Sequence, residues 1–236
     1  MSKPTRWILM MIMACACKVS TPVKQPAGTK PSNPTGDTSW DMNLLNTAAG
    51  SEYLDQAEKD VILEVNKLRS NPARYAELYL VPYKQYYSGR DIEIPGRITI
   101  VTKEGVAPLN QCIEQLKNSK PLPILDPAKG LCRAAGDQAR DQGKTGNVGH
   151  TGSDGSTMTD RINRYGKWNF KIGENIDYGH NIGREVVIAL LIDDGVTSRG
   201  HRQNLLDASF HKIGVAIGSH PVYNYVSVMD FAGDYQ

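Results

Sequence analysis

Histidine and glutamate side chains at three places in the sequence could act together chemically. His150 lies in the run GHTG and His201 lies in the run GHRQN, and both runs are typical of exposed turns. Between them, Glu174 lies in the run GENI, inside a strand-like segment. A buried charge without a partner costs several kcal/mol, so Glu174 requires a cationic side chain or a metal ion beside it.

Two imidazoles and a carboxylate from separate elements suit a divalent transition metal, and zinc is the ion that this donor set favours. In a zinc-dependent hydrolase, His150 and His201 would hold the ion while Glu174 acted as the general base on a water molecule. The same three groups could also transfer protons without a metal. The spacing does not separate these hypotheses, because the HExxH pattern of zinc peptidases is absent.

Other catalytic patterns fit the sequence less well. The runs TGSDG and VTSRG both lack the first glycine of the GxSxG nucleophile motif. Asp154 is followed by glycine, but the spaced acids and the closing glutamate of a calcium loop are missing. The sequence therefore leaves enzymatic activity open, with metal-dependent hydrolysis as the one reaction worth testing.

The elements that must position these residues indicate one α+β domain. Apolar spacing and capping residues predict helices over 54–69, 72–79, 110–117, 126–142, 156–165 and 184–193. Alternation predicts a hairpin over 92–101 and strands over 168–176, 213–217 and 223–231. Helices in the first part and strands at the end, without a repeat or a phosphate-binding glycine loop, are typical of an α+β or mixed layered fold.

The charge balance argues against a nucleic-acid partner. The chain has 27 Lys and Arg against 25 Asp and Glu, a formal net charge of +2. Without Lys3 and Arg6, which lie in a predicted leader, the two counts are equal. No basic run remains that would bind polyphosphate, and no apolar run reaches the roughly 20 residues that span a bilayer.

Residues 1–17 are typical of a signal peptide, with a positive start, a short apolar stretch and a small-residue exit. The run IMAC resembles a bacterial lipobox with Cys15 as the lipidated residue, and Cys17 is the second candidate. Acyl chains there would provide the only membrane attachment. We expect a secreted or cell-envelope protein that is anchored by lipid, with cleavage without lipid as the alternative.

Residues 18–46 are rich in Pro, Thr and Ser, which predicts an extended tether before a folded domain over 47–236. Cys112 and Cys132 are the cysteines of that domain. In an exported chain they could form a disulfide that closes a loop of about 20 residues and contributes roughly 3 kcal/mol. Two buried free thiols are the alternative.

The runs GHT, GENI and GHRQNL resemble the signature blocks of the CAP superfamily, which comprises the cysteine-rich secretory proteins, antigen 5 and the plant pathogenesis-related proteins. GHRxN followed by an apolar pair is typical of the bacterial, SCP-like branch. The run RSNPA at 69–73 and the run IGV at 213–215 also fit. The resemblance covers about 60–233 and makes 81–122 an insertion.

The resemblance implies a three-layer α-β-α sandwich whose open cleft holds a His-Glu-Glu-His tetrad able to bind zinc or another divalent ion. His150, Glu174 and His201 match three members of that tetrad. The place of the second glutamate falls on Asp193, which is one methylene shorter. A water-bridged contact could replace direct ligation there, and Asp194 is the rival candidate.

Protease, lipid-binding, sterol-binding, signalling and adhesion roles have been proposed for members of this superfamily, so the resemblance defines the fold better than the function. Our first hypothesis is a binding module whose cleft holds a lipid, sterol or peptide. A zinc-dependent hydrolase is the alternative, and the short Asp193 would leave a coordination position for water. Structural display on the cell surface, with the polar cluster serving only the fold, is the third hypothesis. The oligomeric state does not follow from the sequence.

Overall fold

The computed structural model describes residues 40–236, and the predicted signal peptide with Cys15 and Cys17 lies outside that range. The helices are α1 (Met42–Leu45), α2 (Gln56–Ser70), α3 (Pro72–Tyr75), α4 (Val81–Tyr83), α5 (Ala107–Lys117), α6 (Lys129–Thr145), α7 (Met158–Asn163), α8 (Gly183–Ile192) and α9 (Gly200–Leu205). A π-helical turn covers Ala76–Leu80 and a 3-10 turn covers Lys84–Tyr86. The strands are β1 (Tyr87–Ser88), β2 (Asp91–Ile92), β3 (Ile100–Val101), β4 (Asp126–Pro127), β5 (Trp168–Tyr178), β6 (Lys212–His220) and β7 (Asn224–Tyr235).

The main sheet has the strand order β4-β6-β7-β5. Strands β5, β7 and β6 are antiparallel neighbours, and β4 runs parallel to β6. The predicted strands at 168–176, 213–217 and 223–231 are confirmed as β5, β6 and β7, each slightly longer than its pattern. Because β5 is an edge strand, one of its sides is open to residues from the loops and helices around it.

Helices cover both faces of this sheet. Ala135 and Ala139 of α6 pack with Ala216 and Val228 on one face. On the other face, the side chains of α2, α5 and α8 form the larger core with Val215 and Met229. Side chains alternate between the faces of a strand, so neighbouring residues of β6 contribute to different cores. The structure is therefore the predicted three-layer α-β-α sandwich in a single α+β domain.

Helix α6 approaches β6 closely at Gly214. A Cβ atom added at Gly214 would lie 2.1 Å from the carbonyl carbon of Leu131, which a real side chain could not tolerate. Glycine at this position therefore lets the α6 backbone lie directly on the sheet.

The start of α2 follows the sequence pattern. Asp55 caps the helix by accepting the amide hydrogen of Glu58, and the Glu58 carboxylate accepts the amide hydrogen of Asp55 in return. This reciprocal capping box satisfies backbone donors that a helix start would otherwise leave free. Asn71 ends α2 and caps α3, which begins with Pro72 as predicted.

The start of α6 differs from the prediction. Asp126 and Pro127 form the short strand β4 instead of the first helical turn, and α6 begins at Lys129. The Asp126 amide hydrogen bonds to the carbonyl of His211 at 3.0 Å, and the Ala128 amide bonds to the carbonyl of Ile213 at 2.9 Å. Backbone pairing with β6 thus uses the groups that a helix start would need, a long-range effect that local capping preferences do not include.

The tether prediction over 18–46 is wrong from Trp40 onward. Trp40 and Leu45 are buried in the larger core. The indole of Trp40 donates a hydrogen bond to the hydroxyl of Tyr79 at 3.0 Å, and the side-chain amide of Asn66 donates one to the Leu45 carbonyl at 3.0 Å. These contacts hold residues 40–46 on the domain, and the run WDMNLLN at 40–46 has none of the Pro, Thr and Ser of the preceding residues.

Of the two alternatives for Cys112 and Cys132, the structure has the buried free thiols and not the disulfide. Cys112 lies in α5 and Cys132 lies in α6, and both side chains belong to the larger core. Burial raises the pKa of each thiol to about 12. The two residues therefore act as small apolar core residues.

Residues 81–122, which we call the 81–122 segment, contain the predicted hairpin. Strands β2 and β3 pair with Ile92 opposite Ile100, and β1 extends this small sheet. Helix α5 follows and packs against α3 and α8. The segment thus lies on the α8 side of the domain. No helix within residues 40–236 has the length and apolar character needed to cross a membrane.

Arg69 joins the end of α2 to two distant loops. Its guanidinium is fully buried and donates hydrogen bonds to the carbonyls of Pro123, Leu205, Asp207 and Phe210 at 2.7–3.0 Å. Burial lowers the pKa of Arg69 to about 10, so the side chain stays charged at neutral pH. Arg69 therefore fixes the segment that connects the end of α9 to the start of β6.

We expect Arg69→Lys to lower the free energy of unfolding by about 3 kcal/mol, because lysine cannot reach all four carbonyls and leaves buried acceptors unpaired. Urea denaturation measures this change. Arg74→Lys, at an exposed position nearby, is the matched control and should change stability by less than about 0.5 kcal/mol. A loss of under about 1 kcal/mol in Arg69→Lys would contradict this role.

Candidate functional site

Glu174 lies in the middle of β5 and is almost completely buried, with its side chain 2% exposed. Its Oε1 atom bonds to Nδ1 of His150 at 2.8 Å. Its Oε2 atom accepts a hydrogen bond from Nη2 of Arg161 at 2.6 Å. Both carboxylate oxygens are thus occupied by side chains from the α6 and α7 face of the sheet.

Arg161 is the cationic partner that a buried Glu174 requires. It lies in α7, whose start is capped by Thr157 and Asp160, and its side chain is 1% exposed. Its guanidinium also donates hydrogen bonds to the carbonyls of His150 and Ser156 at 3.1–3.3 Å. Arg161 therefore holds both Glu174 and the backbone of the His150 loop.

Sequence reasoning predicted that Glu174 needs a cation or a metal but did not identify Arg161. The buried carboxylate was the available signal. The helix that carries Arg161 was also predicted, yet nothing local shows that its arginine points inward.

The His150 loop is fixed through its backbone. The carbonyl of Gly149 accepts hydrogen bonds from the side-chain amides of Gln138 and Gln142 at 2.8 and 2.6 Å. The amide of Gly149, where φ is +101°, donates to the hydroxyl oxygen of Tyr178 at 2.8 Å. These contacts leave the His150 ring 53% exposed while its Nδ1 atom stays on Glu174.

Asp193 and His201 form the second histidine–carboxylate pair. Asp193 Oδ1 bonds to Nδ1 of His201 at 2.7 Å, and Asp193 Oδ2 accepts the amide hydrogen of the same residue at 3.0 Å. Asp193 ends α8 in the left-handed conformation, with φ +56°. This turn brings the short carboxylate to the start of α9, so the missing methylene does not prevent contact with His201.

Asp194, the rival candidate, lies elsewhere. Its carboxylate accepts the amide hydrogens of Lys103 and Glu104 at 2.6 and 2.9 Å. It therefore binds the 81–122 segment instead of His201.

The two pairs meet across the edge strand β5. The ring centroids of His150 and His201 are 6.3 Å apart, with 33° between the ring planes. Asn175, which points to the opposite face from Glu174, donates to the His201 carbonyl at 3.0 Å and accepts from Asn204 at 2.8 Å. The amides thus attach α9 to the same strand that carries Glu174.

Each carboxylate determines which nitrogen of its imidazole carries hydrogen. An ionised carboxylate only accepts, so Nδ1 of His150 and Nδ1 of His201 are the donors. In a neutral ring, Nε2 then has a free lone pair. Both rings can therefore offer Nε2 as an acceptor or as a ligand on the solvent side of the site.

The four residues do not fit a metal centre with four protein ligands. Both oxygens of Glu174 and both oxygens of Asp193 are used in the hydrogen bonds described above. Within residues 40–236, no group of three or more His, Cys, Asp or Glu side chains could hold a metal ion. The donor set that does fit is the pair of imidazoles, whose carboxylates orient them in the way that carboxylates orient histidine ligands of zinc.

Asp230 is a third acid of the site that sequence reasoning missed. It lies opposite Glu174 in the register of β5 and β7 and is fully buried. Its carboxyl oxygens receive no hydrogen bond from any of residues 40–236. Burial, followed by the negative charge of Glu174, raises the pKa of Asp230 well above its usual range. This shift favours the protonated form of Asp230 beside the Arg161–Glu174 ion pair.

A cavity of about 410 Å³ lies behind the site, on the α6 and α7 side. Arg161 lines this cavity, whereas His150 and His201 do not. The His150 side chain is 53% exposed and the His201 side chain is 22% exposed, so both rings reach the surface of the protein.

The family comparison agrees with this geometry. The model of the CAP family, described as the cysteine-rich secretory protein family, matches residues 62–231. The match covers well over half of the chain and includes His150, Glu174, Asp193 and His201. The chain belongs to the CAP family.

Two solved structures are similar to the chain over 47% of its length. One is an extracellular protein containing an SCP domain from Bacillus anthracis str. Ames, at 27% identity with a TM-score of 0.39. The other is an outer surface protein from Borrelia burgdorferi, at 24% identity with a TM-score of 0.40. The matches cover 34% and 78% of those chains, so this chain spans about a third of the Bacillus protein. No curated protein matches the chain.

We expect the free energy of unfolding of Asp230→Asn, relative to that of the wild type, to increase as the pH rises. The folded protein keeps the Asp230 proton, whereas the unfolded chain loses it above a pKa of about 3.9. The contribution of Asp230 to the free energy of unfolding is therefore largest below that pH. It decreases as the pH rises toward the raised pKa of Asp230 in the folded protein. Asparagine has the same shape and no such titration.

Urea denaturation at pH 4, 6 and 8 measures the difference between the two proteins. Asp126, an exposed residue that forms an ion pair with Lys212, provides the control. The difference in unfolding free energy between Asp126→Asn and the wild type should stay constant from pH 6 to pH 8. An Asp230→Asn variant whose difference does not grow with pH would show that Asp230 is ionised in the folded protein.

Proposed function

We propose that the chain is an exported binding module that holds its ligand against Nε2 of His150 and Nε2 of His201. The observation that supports this function is the convergence of two histidine–carboxylate pairs, from different sides of β5, with their rings 6.3 Å apart. Imidazoles that buried carboxylates hold in place provide directed polar contacts at little conformational cost. A surface that served only display would not require two oriented rings.

A divalent ion, with zinc favoured by the imidazole donors, is the cofactor that we propose for this site. His150 and His201 would hold it, and Glu174 and Asp193 would keep the imidazoles oriented. Such an ion supplies a Lewis acid that attracts an oxygen or nitrogen donor of the ligand. Two protein ligands should bind the ion more weakly than the four ligands of a structural zinc site.

The burial of Glu174 favours a binding module over a zinc-dependent hydrolase. A general base must come within hydrogen-bond distance of the water that it activates. The Glu174 side chain is 2% exposed, and its oxygens are bound to His150 and Arg161. Its role in the site is to orient His150 and to balance the charge of Arg161.

A peptide is the ligand class that the surface supports best. Lipid and sterol sites are predominantly apolar cavities that enclose most of the ligand. Here the His150 side chain is 53% exposed, the His201 side chain is 22% exposed, and neither lines the cavity of about 410 Å³. An extended chain that crosses the surface can make polar contacts with both rings. Asn175 and Asn204 hold α9, which carries His201, on β5.

Zinc itself is the probe for the two imidazoles. We expect the full chain to bind one Zn²⁺ in isothermal titration, and His150→Ala or His201→Ala to weaken that binding by at least about 10-fold, because each removes one ligand. Circular dichroism of each variant checks that the fold is kept.

The matched control is His180→Ala. His180 also bonds to a carboxylate, Asp177, at 3.0 Å, but it belongs to neither of the two converging pairs. Equal losses in all three variants would indicate nonspecific zinc binding and would contradict the proposal. Turnover of peptide or ester substrates that disappears in His150→Ala would support the hydrolase instead.

Export and lipid attachment complete the proposed function. The support is the leader over 1–17, with its positive start, apolar stretch and small-residue exit. We propose that the mature chain is held at the cell envelope by acyl chains on Cys15, or on Cys17 if cleavage occurs two residues later.

Metabolic labelling with a palmitate analogue in an expressing bacterium tests this anchor. We expect Cys15→Ser to abolish labelling and to release the domain into the medium, with Cys17→Ser as the matched control that keeps the label. The reverse result would assign lipid to Cys17. An unlabelled wild-type chain in the medium would indicate ordinary secretion.

A further inference from the structure

The 81–122 segment contacts the loop that connects the two parts of the Asp193–His201 pair. This loop covers residues 193–199, and we call it the 193–199 loop. Asp194 accepts the backbone amide hydrogens of Lys103 and Glu104 at 2.6 and 2.9 Å. One carboxylate of the loop thus binds two successive amides of the segment.

Glu104 makes the reciprocal contact. Its Oε1 atom accepts the amide hydrogen of Gly195 and a hydrogen from Arg199 Nη1, both at 2.7 Å. Its Oε2 atom accepts a hydrogen from Arg199 Nη2 at 2.7 Å. Two parallel bonds between a carboxylate and a guanidinium define direction as well as distance.

The same contacts keep Glu104 ionised. The hydrogen bonds from Arg199, followed by that from the Gly195 amide, lower the pKa of Glu104 to about 2. The carboxylate therefore stays charged across the pH range in which the protein would be used. We use the name Glu104 clamp for two sets of contacts. Glu104 binds Arg199 and the amide of Gly195, and Asp194 binds the amides of Lys103 and Glu104.

Arg199 connects the Glu104 clamp to the backbone of the 193–199 loop. Its Nη1 atom also donates to the carbonyls of Asp193 and Val196, each at 2.9 Å. Asp193 and Arg199 both have left-handed backbones, with φ of +56° and +54°. Residues other than glycine hold that conformation only when their surroundings enforce it. The Glu104 clamp provides such enforcement at both ends of the loop.

The position of the Asp193 carboxylate follows from this backbone. Asp193 holds both Nδ1 and the amide nitrogen of His201. A rotation of the Asp193 backbone out of the left-handed region would move its carboxylate away from the start of α9. The orientation of His201 is therefore coupled to Glu104 through Arg199 and Asp193.

We propose that Glu104 is a positioning residue for His201, so that the 81–122 segment completes one half of the binding site. This inference rests on the proposed function for its importance, because it concerns the imidazole that would contact the ligand. The contact between Glu104 and the loop is separate from the ligand itself, so the two proposals can fail independently.

Long-range ¹H–¹⁵N correlation spectra of the histidine rings in the full chain test this role. We expect wild-type His201 to show hydrogen on Nδ1 and Glu104→Ala to shift it toward a mixture with hydrogen on Nε2. His150 should not change. The affinity for the zinc probe should fall by about 10-fold in Glu104→Ala, with partial recovery in Glu104→Gln, which keeps an acceptor for Arg199.

Arg97→Ala is the matched control. Arg97 also connects the 81–122 segment to the α8 side, through two hydrogen bonds to Glu185 at 2.6 and 2.7 Å. It does not touch the 193–199 loop, so its loss should leave the His201 spectrum unchanged. Arg199→Lys serves as the second variant if Glu104→Ala fails to fold, since lysine cannot contact Glu104 and both carbonyls together.

A His201 spectrum that is the same in wild type, Glu104→Ala and Arg199→Lys would overturn the positioning role. An equal change in Arg97→Ala would also overturn it, because that result would indicate general loosening. If the spectra change as expected while the wild-type chain binds no zinc, the positioning role stands and the proposed metal site fails.

Discussion

The ion pair between Arg161 and Glu174 is the interaction on which the site depends. A carboxylate buried in a strand is costly, and removing its partner would leave an uncompensated charge. Here one guanidinium neutralises Glu174 and also holds the carbonyl of His150. Burial and the charge of Glu174 raise the pKa of Asp230 on the neighbouring strand, which favours a second acid without a second negative charge in the same place.

The other half of the site solves the same orientation problem by different means. Glu174 projects from a strand, and its position follows from sheet register. Asp193 projects from the end of a helix, and its position depends on a left-handed turn that neighbouring residues must stabilise. The two imidazoles thus receive equivalent carboxylate contacts from supports of different stiffness, because β5 is part of the sheet while the 193–199 loop depends on side-chain contacts.

The long helices, the main strands and three site residues could be predicted because each leaves a local signal, whereas the three layers and the place of Asp193 were predicted from the family resemblance. Periodicity marks α2 and α8, and the short runs around His150, Glu174 and His201 mark the site. Arg161, Asp230 and Glu104 left no such signal, since their roles arise only from packing between distant elements. The same reason explains why Asp126 joined a strand instead of a helix, and why Trp40 packed on the domain.

The free state of Cys112 and Cys132 has a consequence for how this domain matures. Both thiols lie in the larger core, and burial raises the pKa of each to about 12, so neither is ionised near neutral pH. Folding of residues 40–236 therefore requires no oxidant and no disulfide isomerase. The core of residues 40–236 is held together by packing and hydrogen bonds, whereas many small exported domains use disulfides for that purpose.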